Sequence, residues 1–329
     1  MNAASMKPVS RRIAGLLAIG LGCALAISSA SAAYPERPVT LVVTFEAGGA
    51  SDVSARVVAK ALSEVLKQPV IVQNQPGAGG RIGTRRVAGA EPDGYTLLWG
   101  SGSTLTAAPA LYPDEKYLAT LMPVGVGALQ PFLFVTTPAT GAKTVAELVA
   151  LAKQKPGQLN FASAGIGSSN HLLGEIFMSA TGTKFTHVPY KGAAPARDAM
   201  IRGDAQLMDE VTATLLPQIN AGQLVPLLTT SQTRDPELPG VPTAAEAGLP
   251  DLSITGFFGV MAPPKMSPEL LATLSDAMKK ALQSPELKKS FANMRLDVGS
   301  GSAEDLGGLI ARGRERYSKI VAERNIRVD

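Results

Sequence analysis

Three short loops rich in glycine and hydroxyl residues carry the chemistry that this sequence offers. The first occupies residues 46–52 and contains Gly48 and Gly49. It follows an apolar run at residues 39–45 and precedes a helical pattern at residues 53–66. A glycine turn before a helix leaves backbone N–H groups unpaired at the positive end of the helix dipole, and such groups bind anions without a side-chain cation. The loop therefore predicts a site for a carboxylate or a similar anion.

Two further loops of similar composition follow later apolar runs. One lies at residues 100–104, after the run at residues 95–99, and the other lies at residues 163–169, after the run at residues 159–162. Ligands of open α/β sheets bind beyond the carboxyl ends of the strands, so loops at that edge predict a shared site. The candidate ligand-binding residues of the middle loop are Ser101, Ser103 and Thr104.

Several other polar residues each admit two interpretations. Asp52, at the start of the predicted helix, is either a partner of the helix dipole or a ligand-binding group. Asp209 and Glu210 end a short apolar run and form either a solvated strand end or an acceptor for an amine, an amide or an ordered water. Tyr190 and Lys191 form either a pocket wall with a cation or a surface loop.

The sequence lacks the motifs of common catalytic sites. It has no Gly-x-Ser-x-Gly elbow and no Gly-Lys-[Ser/Thr] phosphate loop, and Ile82 replaces the third glycine that a dinucleotide-binding loop requires. The only histidines, His171 and His187, are 16 residues apart on different predicted elements and are interpreted as ordinary hydrogen-bonding groups. We expect no cofactor, no metal and no catalytic residue.

The first 33 residues are predicted to be an export signal that is cleaved from the mature protein. Lys7, Arg11 and Arg12 precede an apolar run at residues 13–27 and a small-residue cleavage site at residues 30–32. An ordinary secretory signal is expected, with a twin-arginine signal or lipidation of the single cysteine as alternatives. The mature protein is therefore expected in the periplasm.

Removal of this segment changes the electrostatic character of the chain. The remaining residues hold 28 basic and 27 acidic side chains, a net charge of +1, which gives no indication of nucleic-acid binding. The single cysteine, Cys23, also leaves with the signal, so the mature chain can form neither a disulfide nor a thiolate metal site.

Apolar runs that alternate with helical patterns predict an α/β fold. The helical patterns at residues 144–153, 268–283 and 303–324 are the clearest, and Ser302 is a capping signal for the last. Nearly continuous apolar strands between helices are typical of parallel sheets covered on both faces. The predicted strands lie at residues 39–45, 70–73, 95–99, 132–136, 159–162, 185–188, 206–208 and 224–229. We place crossings between two domains near residues 132–138 and 254–261.

A set of short motifs, in this order and at these spacings, identifies a family resemblance. The motifs lie at residues 34–38, 48–52, 74–80, 82–83, 92–95, 155–157, 165–169 with His171, 187–192 and 239–248. Over nearly the whole mature chain, the sequence resembles the periplasmic solute-binding receptors of tripartite tricarboxylate transporters, the Bug receptors. The resemblance implies a two-lobed type II periplasmic-binding fold that closes on its ligand like a hinge. Each lobe would be a mostly parallel sheet flanked by helices, with residues 34–134 and 258–329 in lobe 1 and residues 135–257 in lobe 2.

The resemblance also implies a ligand and a binding mode. The ligand would be a small organic acid (a dicarboxylate, an amino acid or an aromatic acid), which a monomeric receptor delivers to the membrane permease subunits. The carboxylate would be held by backbone amides and hydroxyls of two facing loops. These residues are Gly49, Ala50, Ser51 and Asp52 in one loop and Ser163, Ala164, Gly165, Ser168 and Ser169 in the other. Tyr190 and Asp209 are further candidate ligand-binding residues, from the residue patterns described above.

The chain departs from the family pattern in ways that bear on the ligand. Glu46 and Ala47 stand where the family usually has proline, and Glu210 stands where it often has asparagine. Residues 256–258, Gly-Phe-Phe, lie where the family tends to have a tryptophan. Two extra carboxylates near the cleft would repel a second anionic end unless they face away or bind an amine. The alternatives are a receptor for a two-component sensor and a secreted hydrolase or isomerase that uses a histidine as its base.

Overall fold

The computed structural model describes Met1, residues 34–190 and residues 192–327. The described residues from 37 to 327 form one compact unit. Apart from Met1, the predicted export signal lies outside the described residues, and so does Lys191. None of the helices in the described part of the chain combines the length and the apolar character that a membrane span requires.

Strands and helices alternate along the chain, as the sequence predicts. The strands are β1 (Val39–Val43), β2 (Val70–Asn74), β3 (Thr96–Ser101), β4 (Met122–Gln130), β5 (Phe132–Thr136), β6 (Asn160–Ser163), β7 (Thr186–Pro189), β8 (Leu207–Val211), β9 (Val225–Thr229), β10 (Gly256–Ala262) and β11 (Asp297–Val298). The α-helices are α1 (Ala50–Leu66), α2 (Arg81–Ala88), α3 (Ala108–Leu111), α4 (Val145–Gln154), α5 (Ser169–Thr181), α6 (Ala193–Arg202), α7 (Thr212–Asn220), α8 (Pro268–Ala281), α9 (Pro285–Asn293) and α10 (Ala303–Glu323). Each of the eight predicted strands overlaps an observed one.

The strands form two sheets, which confirms the α/β class. The first sheet has the order β11-β4-β10-β3-β1-β2, and the second has the order β7-β6-β8-β5-β9. Both are mixed rather than mostly parallel. The pairs β1–β2, β1–β3, β6–β7 and β6–β8 are parallel, and all pairs that include β4, β5 or β10 are antiparallel. Parallel neighbours in a sheet require long crossover connections, which the helices supply. The chain passes from the first sheet to the second between β4 and β5, which only Pro131 separates.

Strand β4 was not predicted from the sequence because its composition is unfavourable for a strand. It contains Pro123 as well as Gly125 and Gly127, residues that weaken the strand signal. Close packing requires both glycines. A Cβ on Gly127 would lie 2.2 Å from the ring of Trp99, and a Cβ on Gly125 would lie 2.4 Å from the carbonyl oxygen of Gly301.

Helix α10 packs against the cores of both sheets. The Oγ atom of Ser302 accepts a hydrogen bond from the N–H of Asp305 at 3.2 Å, which confirms the predicted cap. Leu306 and Ile310 join the apolar cluster of the first sheet. Tyr317, about two turns further on, joins the cluster of the second sheet.

The chain changes sheets close to the predicted crossings. It enters the second sheet at Phe132 and returns to the first at Gly256, each two or three residues before the lobe boundaries that the sequence analysis placed after residues 134 and 257. The division into lobes by residue number stays a prediction.

Candidate ligand-binding cleft

A cavity of about 430 Å³ lies where the strand ends of the two sheets face each other. The first sheet contributes Phe45 after β1, residues 78–79 after β2 and Ser103 after β3. The second sheet contributes residues 164–170 after β6 and Glu210 in β8. A neighbouring cavity of about 180 Å³ shares Ser103 and Ser169 with the first. The walls are thus built from carboxyl ends of strands, the edge at which the sequence analysis predicts a site.

The α5 loop, residues 164–168, leads into a helix N-terminus that lines the cavity. Ser168 caps the helix, because its Oγ atom accepts a hydrogen bond from the N–H of His171 at 3.1 Å. The N–H groups of Ser169 and Asn170 have no acceptor among the described residues, and both residues line the cavity. No acidic residue lies in the first turn of α5, so the positive end of its dipole is available to an external anion.

Two stacked histidines hold the α5 loop in place through hydrogen bonds. Nδ1 of His171 accepts a hydrogen bond from the N–H of Gly167 at 3.1 Å. Nε2 of His187 lies 2.7 Å from Oγ of Ser163, and that oxygen also accepts from the N–H of Gly165 at 3.1 Å. The two rings are 4.0 Å apart and nearly parallel. The histidines therefore make hydrogen bonds that position the loop, as their sequence interpretation expects.

Burial keeps both histidines neutral. It lowers the pKa of His171 to about 4, with a further contribution from His187, and it lowers the pKa of His187 to about 4. A neutral ring is required at His171, because a protonated Nδ1 would meet the N–H of Gly167 with a second donor.

The acidic pair at the end of β8 is buried rather than solvated. Glu210 is 7% exposed, and its Oε1 atom accepts from the N–H of Val211 at 2.8 Å, whereas its Oε2 atom has no partner among the described residues. Burial raises the pKa of Glu210, and the bond from Val211 and the charge of Arg197 act against this shift.

Asp209 lies deeper than Glu210 and is fully buried. Its carboxylate and its carbonyl oxygen both accept hydrogen bonds from Nδ2 of Asn170, at 3.3 Å and 2.7 Å. Burial, and secondarily the charge of Glu210, raise the pKa of Asp209 well above its usual value. Asp209 therefore connects β8 to the first turn of α5 rather than lining the cavity.

The α1 loop, residues 44–49, is built differently. Gly48 has a φ of +87°, and Gly49 precedes α1 with an extended backbone and no side-chain cap. The carboxylate of Asp52 accepts from the N–H of Gly48 at 2.9 Å, from Nδ2 of Asn74 at 2.9 Å and from Nε of Arg56 at 3.1 Å. The bond from Arg56 is the largest cause of the lowered pKa of Asp52.

The predicted residues of the α1 loop lie away from the two cavities. The walls contain Phe45 but none of the residues Gly49, Ala50, Ser51 and Asp52. The N–H groups of the last three have no acceptor among the described residues, although Asp52 lies beside them with its own negative charge. Asp52 thus serves as a partner of the helix terminus, one of its two interpretations.

The remaining predicted residues are distributed between the cavities and the protein interior. Ser103 lines both cavities, and its Oγ atom lies 2.8 Å from that of Ser101, which lines the smaller one. Thr104 is buried and donates to the carbonyl oxygen of Ser101 at 3.0 Å. Ser163 is buried under the α5 loop, and Tyr190 packs against an apolar cluster of the second sheet. Ala164, Gly165, Ser168 and Ser169 line the larger cavity.

Sequence reasoning missed a cation in the cavity wall. The guanidinium of Arg81 lies 3.7 Å from the ring centre of Tyr112, forms an ion pair with Glu115, and is fixed by a 2.9 Å bond from Nε to the carbonyl oxygen of Ala78. Gly80, at φ +91°, holds the turn that aims this residue, and a Cβ there would lie 2.4 Å from Cγ2 of Thr104. The glycine run before Arg81 was the signal that could have revealed it.

Comparison with known proteins connects this geometry to a family. Protein BugT of Bordetella pertussis is 36% identical over 314 residues, which are 94% of this chain and 96% of that protein. An R. palustris protein solved with adipate is 31% identical, has a TM-score of 0.75, and covers 89% of this chain and 99% of its own. MatC from Rhodopseudomonas palustris, solved with bound malate, is 30% identical, has a TM-score of 0.72, and covers 88% of this chain and 100% of its own.

These likenesses confirm the two-lobed periplasmic-binding fold and the resemblance found in the sequence. The family described as "Tripartite tricarboxylate transporter family receptor" matches residues 54–326. Its members are solute-binding receptors rather than enzymes, so the histidines need no catalytic role. By this match and these relatives, the chain belongs to the tripartite tricarboxylate transporter receptor family.

Proposed function

We propose that the protein is a periplasmic receptor that captures a small carboxylate-bearing metabolite in the larger cavity and delivers it to a membrane permease. The observation that carries this function is the first turn of α5. Its N–H groups at Ser169 and Asn170 are free, and they line a cavity between the two sheets. Backbone donors at a helix N-terminus hold a carboxylate without requiring a counter-ion.

The opposite wall supports the same ligand class. Arg81 is held by Tyr112 and Glu115 with 21% of its side chain exposed, so its position is fixed before a ligand arrives. An anion between Arg81 and α5 would contact both sheets. Such a ligand stabilises the closed arrangement because it makes contacts that an open arrangement lacks. The bound adipate and malate of the two R. palustris relatives are small carboxylates of this kind.

Export and delivery complete the proposal. The family is one of transporter receptors, which implies a permease as the partner that reads the closed state. The predicted signal at the N-terminus would bring the protein to the periplasm, where the ligand is captured. Loss of ligand uptake in cells that lack this receptor, with recovery when it is restored, would test delivery.

Thermal unfolding of the mature protein with a panel of acids tests the binding function. The panel spans aliphatic dicarboxylates, amino acids and aromatic acids, each with its amide as the matched neutral control. A ligand at a hundredfold excess over its dissociation constant adds about 2.7 kcal/mol to the free energy of unfolding. Stabilisation by acids but not by their amides is expected, and the acid should be recovered unchanged. Stabilisation by amides alone would refute carboxylate binding.

A further inference from the structure

The smaller cavity, of about 180 Å³, has a cationic wall that the proposed ligand site does not use. Arg312 and Arg316 of α10 both line it, and among the described residues of its lining none is acidic. Arg312 is exposed and Arg316 is half-buried, and neither forms a hydrogen bond or an ion pair with a described residue. Arginine is well suited to bind carboxylate and phosphate groups, so two unpaired guanidinium groups at one cavity predict an anion.

A third arginine of the same helix shows the contrast. Nε and Nη2 of Arg314 donate to the carbonyl oxygens of Leu105 and Leu118, at 2.9 Å and 3.0 Å. Arg314 is therefore satisfied by the protein itself. Arg312 and Arg316 are four residues apart, a spacing at which two like charges destabilise a helix. Their charges therefore do not stabilise the unliganded protein.

The packing of α10 explains how these arginines come to the cavity. Nη1 of Arg312 lies 3.1 Å from the position of a Cβ on Gly308, so its guanidinium lies close against the helix. Gly313 lines the smaller cavity, and a Cβ there would lie 2.7 Å from Cγ2 of Thr106. Glycine weakens a helix interior, and at these two positions its small size permits the close approach of a neighbour.

The smaller cavity lies at both places where the chain passes between the two sheets. Gln130 and Phe132 flank the first crossing, and residues 254–257 include the second. Helix α10, which packs against the cores of both sheets, contributes the two arginines. An anion held by these arginines would therefore lie beside both connections between the sheets.

A groove of about 470 Å³ shares the two arginines but is less suited to an anion. Asp251, Glu315 and Glu323 line it as well. Their negative charges offset the positive charges of the two arginines and of Lys319, which also lines the groove. The lining of the smaller cavity has no such offset, and it includes the hydroxyl groups of Ser101 and Ser103. The charges of the two walls therefore favour the smaller cavity.

We propose that the smaller cavity is a second anion site, in which Arg312 and Arg316 bind an oxyanion, that is, a carboxylate, sulfate or phosphate group. Guanidinium groups bind such oxyanions through charge-assisted hydrogen bonds. The two cavities share Ser103, Gln130 and Ser169, so the oxyanion is either the far end of a ligand held at α5 or a free inorganic anion. The inference goes beyond the proposed function, because this site does not depend on the N-terminus of α5.

Charge-removing variants of α10 test the site with inorganic sulfate. The double variant Arg312→Gln/Arg316→Gln removes both cations. Lys319→Gln is the matched control, because Lys319 lies on the same helix and lines the groove but not the smaller cavity. Sodium sulfate is titrated calorimetrically, with sodium chloride at equal ionic strength as the reference. The double variant should bind sulfate about 10-fold more weakly than the wild type, the loss for one charged hydrogen bond, and the control should match the wild type.

Diacids distinguish the far end of a ligand from a free anion. Succinate, glutarate and adipate are titrated beside their monoamides, which keep the length and lose one negative charge. If the oxyanion is the far end of the ligand, the double variant should lose about 10-fold in affinity for a diacid and less for its monoamide. If it is a free anion, only the affinity for sulfate should fall. Either loss, when absent from Lys319→Gln, supports the site.

Three results would overturn the inference. The first is that neither sulfate nor any diacid binds more weakly to the double variant than to the wild type. The second is an equal loss in Lys319→Gln, because the effect would then reflect the overall charge of α10. The third is a clear fall in the melting temperature of the unliganded double variant, which would assign the arginines a structural role. Removal of two like charges should instead leave that temperature unchanged or raise it.

Failure of the proposed function has a different signature. A protein that binds sulfate through the two arginines but binds no organic acid would keep this site and refute the carboxylate receptor. A protein that binds organic acids equally well with and without the arginines, and binds no sulfate, would keep the receptor and refute this site.

Discussion

The α1 loop and the α5 loop share a sequence pattern but differ in what satisfies the helix N-terminus. Each loop joins a buried strand to a helix through glycines with positive φ. In α1 the helix supplies its own carboxylate, Asp52, beside its free N–H groups. In α5 the first turn has no acidic residue, and a neutral serine caps it. One terminus thus has a carboxylate of its own helix beside it, and the other has no acidic residue in its first turn.

The residues that support the two loops also differ in charge. The buried carboxylate of Asp52 bonds to the exposed Arg56 and to Asn74, so this loop is supported by charged groups. The α5 loop rests on His171 and His187, a stacked pair kept neutral by burial. The neutral histidines add no charge of their own to the α5 loop. The comparison predicts that a glycine loop before a helix binds an anion only when the helix lacks a carboxylate of its own.

A carboxylate placed in the first turn of α5 should remove the difference between the two helix N-termini, and it should have the largest effect on ligand affinity. Ser169→Asp places a negative charge at the N-terminus of α5, in the wall of both cavities. We expect carboxylate affinity to fall about 100-fold, or about 2.7 kcal/mol, because the side chain competes for the same N–H groups. Ser169→Asn is the neutral control and should retain most of the affinity. Calorimetric titration measures both; equal affinities would contradict the comparison.

The histidine pair and Asp52 should lose their contributions to the free energy of unfolding in different pH ranges. The folded-state pKa of His171, about 4, lies below its unfolded value near 6.5, so the unfolded chain takes up protons first as the pH falls. The free energy of unfolding should therefore decrease between about pH 6.5 and pH 4, by on the order of 2 kcal/mol, with a smaller share from the more exposed His187. Denaturant unfolding at a series of pH values measures this slope.

Two substitutions of His171 separate its role as a hydrogen-bond acceptor from its protonation. His171→Asn keeps an acceptor near the place of Nδ1 and removes the proton-binding ring, so the slope should flatten while ligand affinity is retained. His171→Leu leaves the N–H of Gly167 without a partner, so ligand affinity should fall as well. A slope that is unchanged in both variants would show that the histidine pair does not govern this range.

Removal of the charge at Asp52 should weaken the first support without weakening ligand binding. Asp52→Asn should lower the free energy of unfolding by about 1.5 kcal/mol at neutral pH, because hydrogen bonds to a charged acceptor become neutral ones. The folded-state pKa of Asp52 is lowered, so its contribution is present above the unfolded value and is lost as the pH falls through the folded one. Wild type and variant should therefore converge in acid. A large loss of ligand affinity would instead place Asp52 in the site.

Substitutions at the N-cap positions of α5 and α1 should give the smallest difference in stability. Ser168→Ala removes the side-chain acceptor for the N–H of His171 and should cost about 1 kcal/mol of unfolding free energy. Gly49→Ala, at the corresponding position of α1, should change stability by less than about 0.5 kcal/mol. Its backbone is extended, no cap is lost, and the nearest atom to a new Cβ is 3.8 Å away. Equal costs in thermal unfolding would remove this part of the comparison.

Local patterns were sufficient for much of the fold and for one wall of the site. The apolar runs and the cap of α10 depend on neighbouring residues, so the eight predicted strands and Ser302 are recovered. The α5 loop was found because the strand end, the glycines and the helix start are contiguous. Strand β4 was missed because its glycines are required by Trp99 and by Gly301, which lie far away in the sequence.

The sequence by itself determined the alternation of strands and helices, the family, and the presence of loops able to bind an anion. Only the tertiary structure decided which loop has its N-terminus free in a cavity, because Asp52 is held by Asn74 and Arg56 through contacts between separate elements. It also brought Arg81 to the opposite wall and buried Glu210 beside α5. Charge and hydrogen-bond satisfaction depend on burial and on distant partners, and neither is written in local sequence.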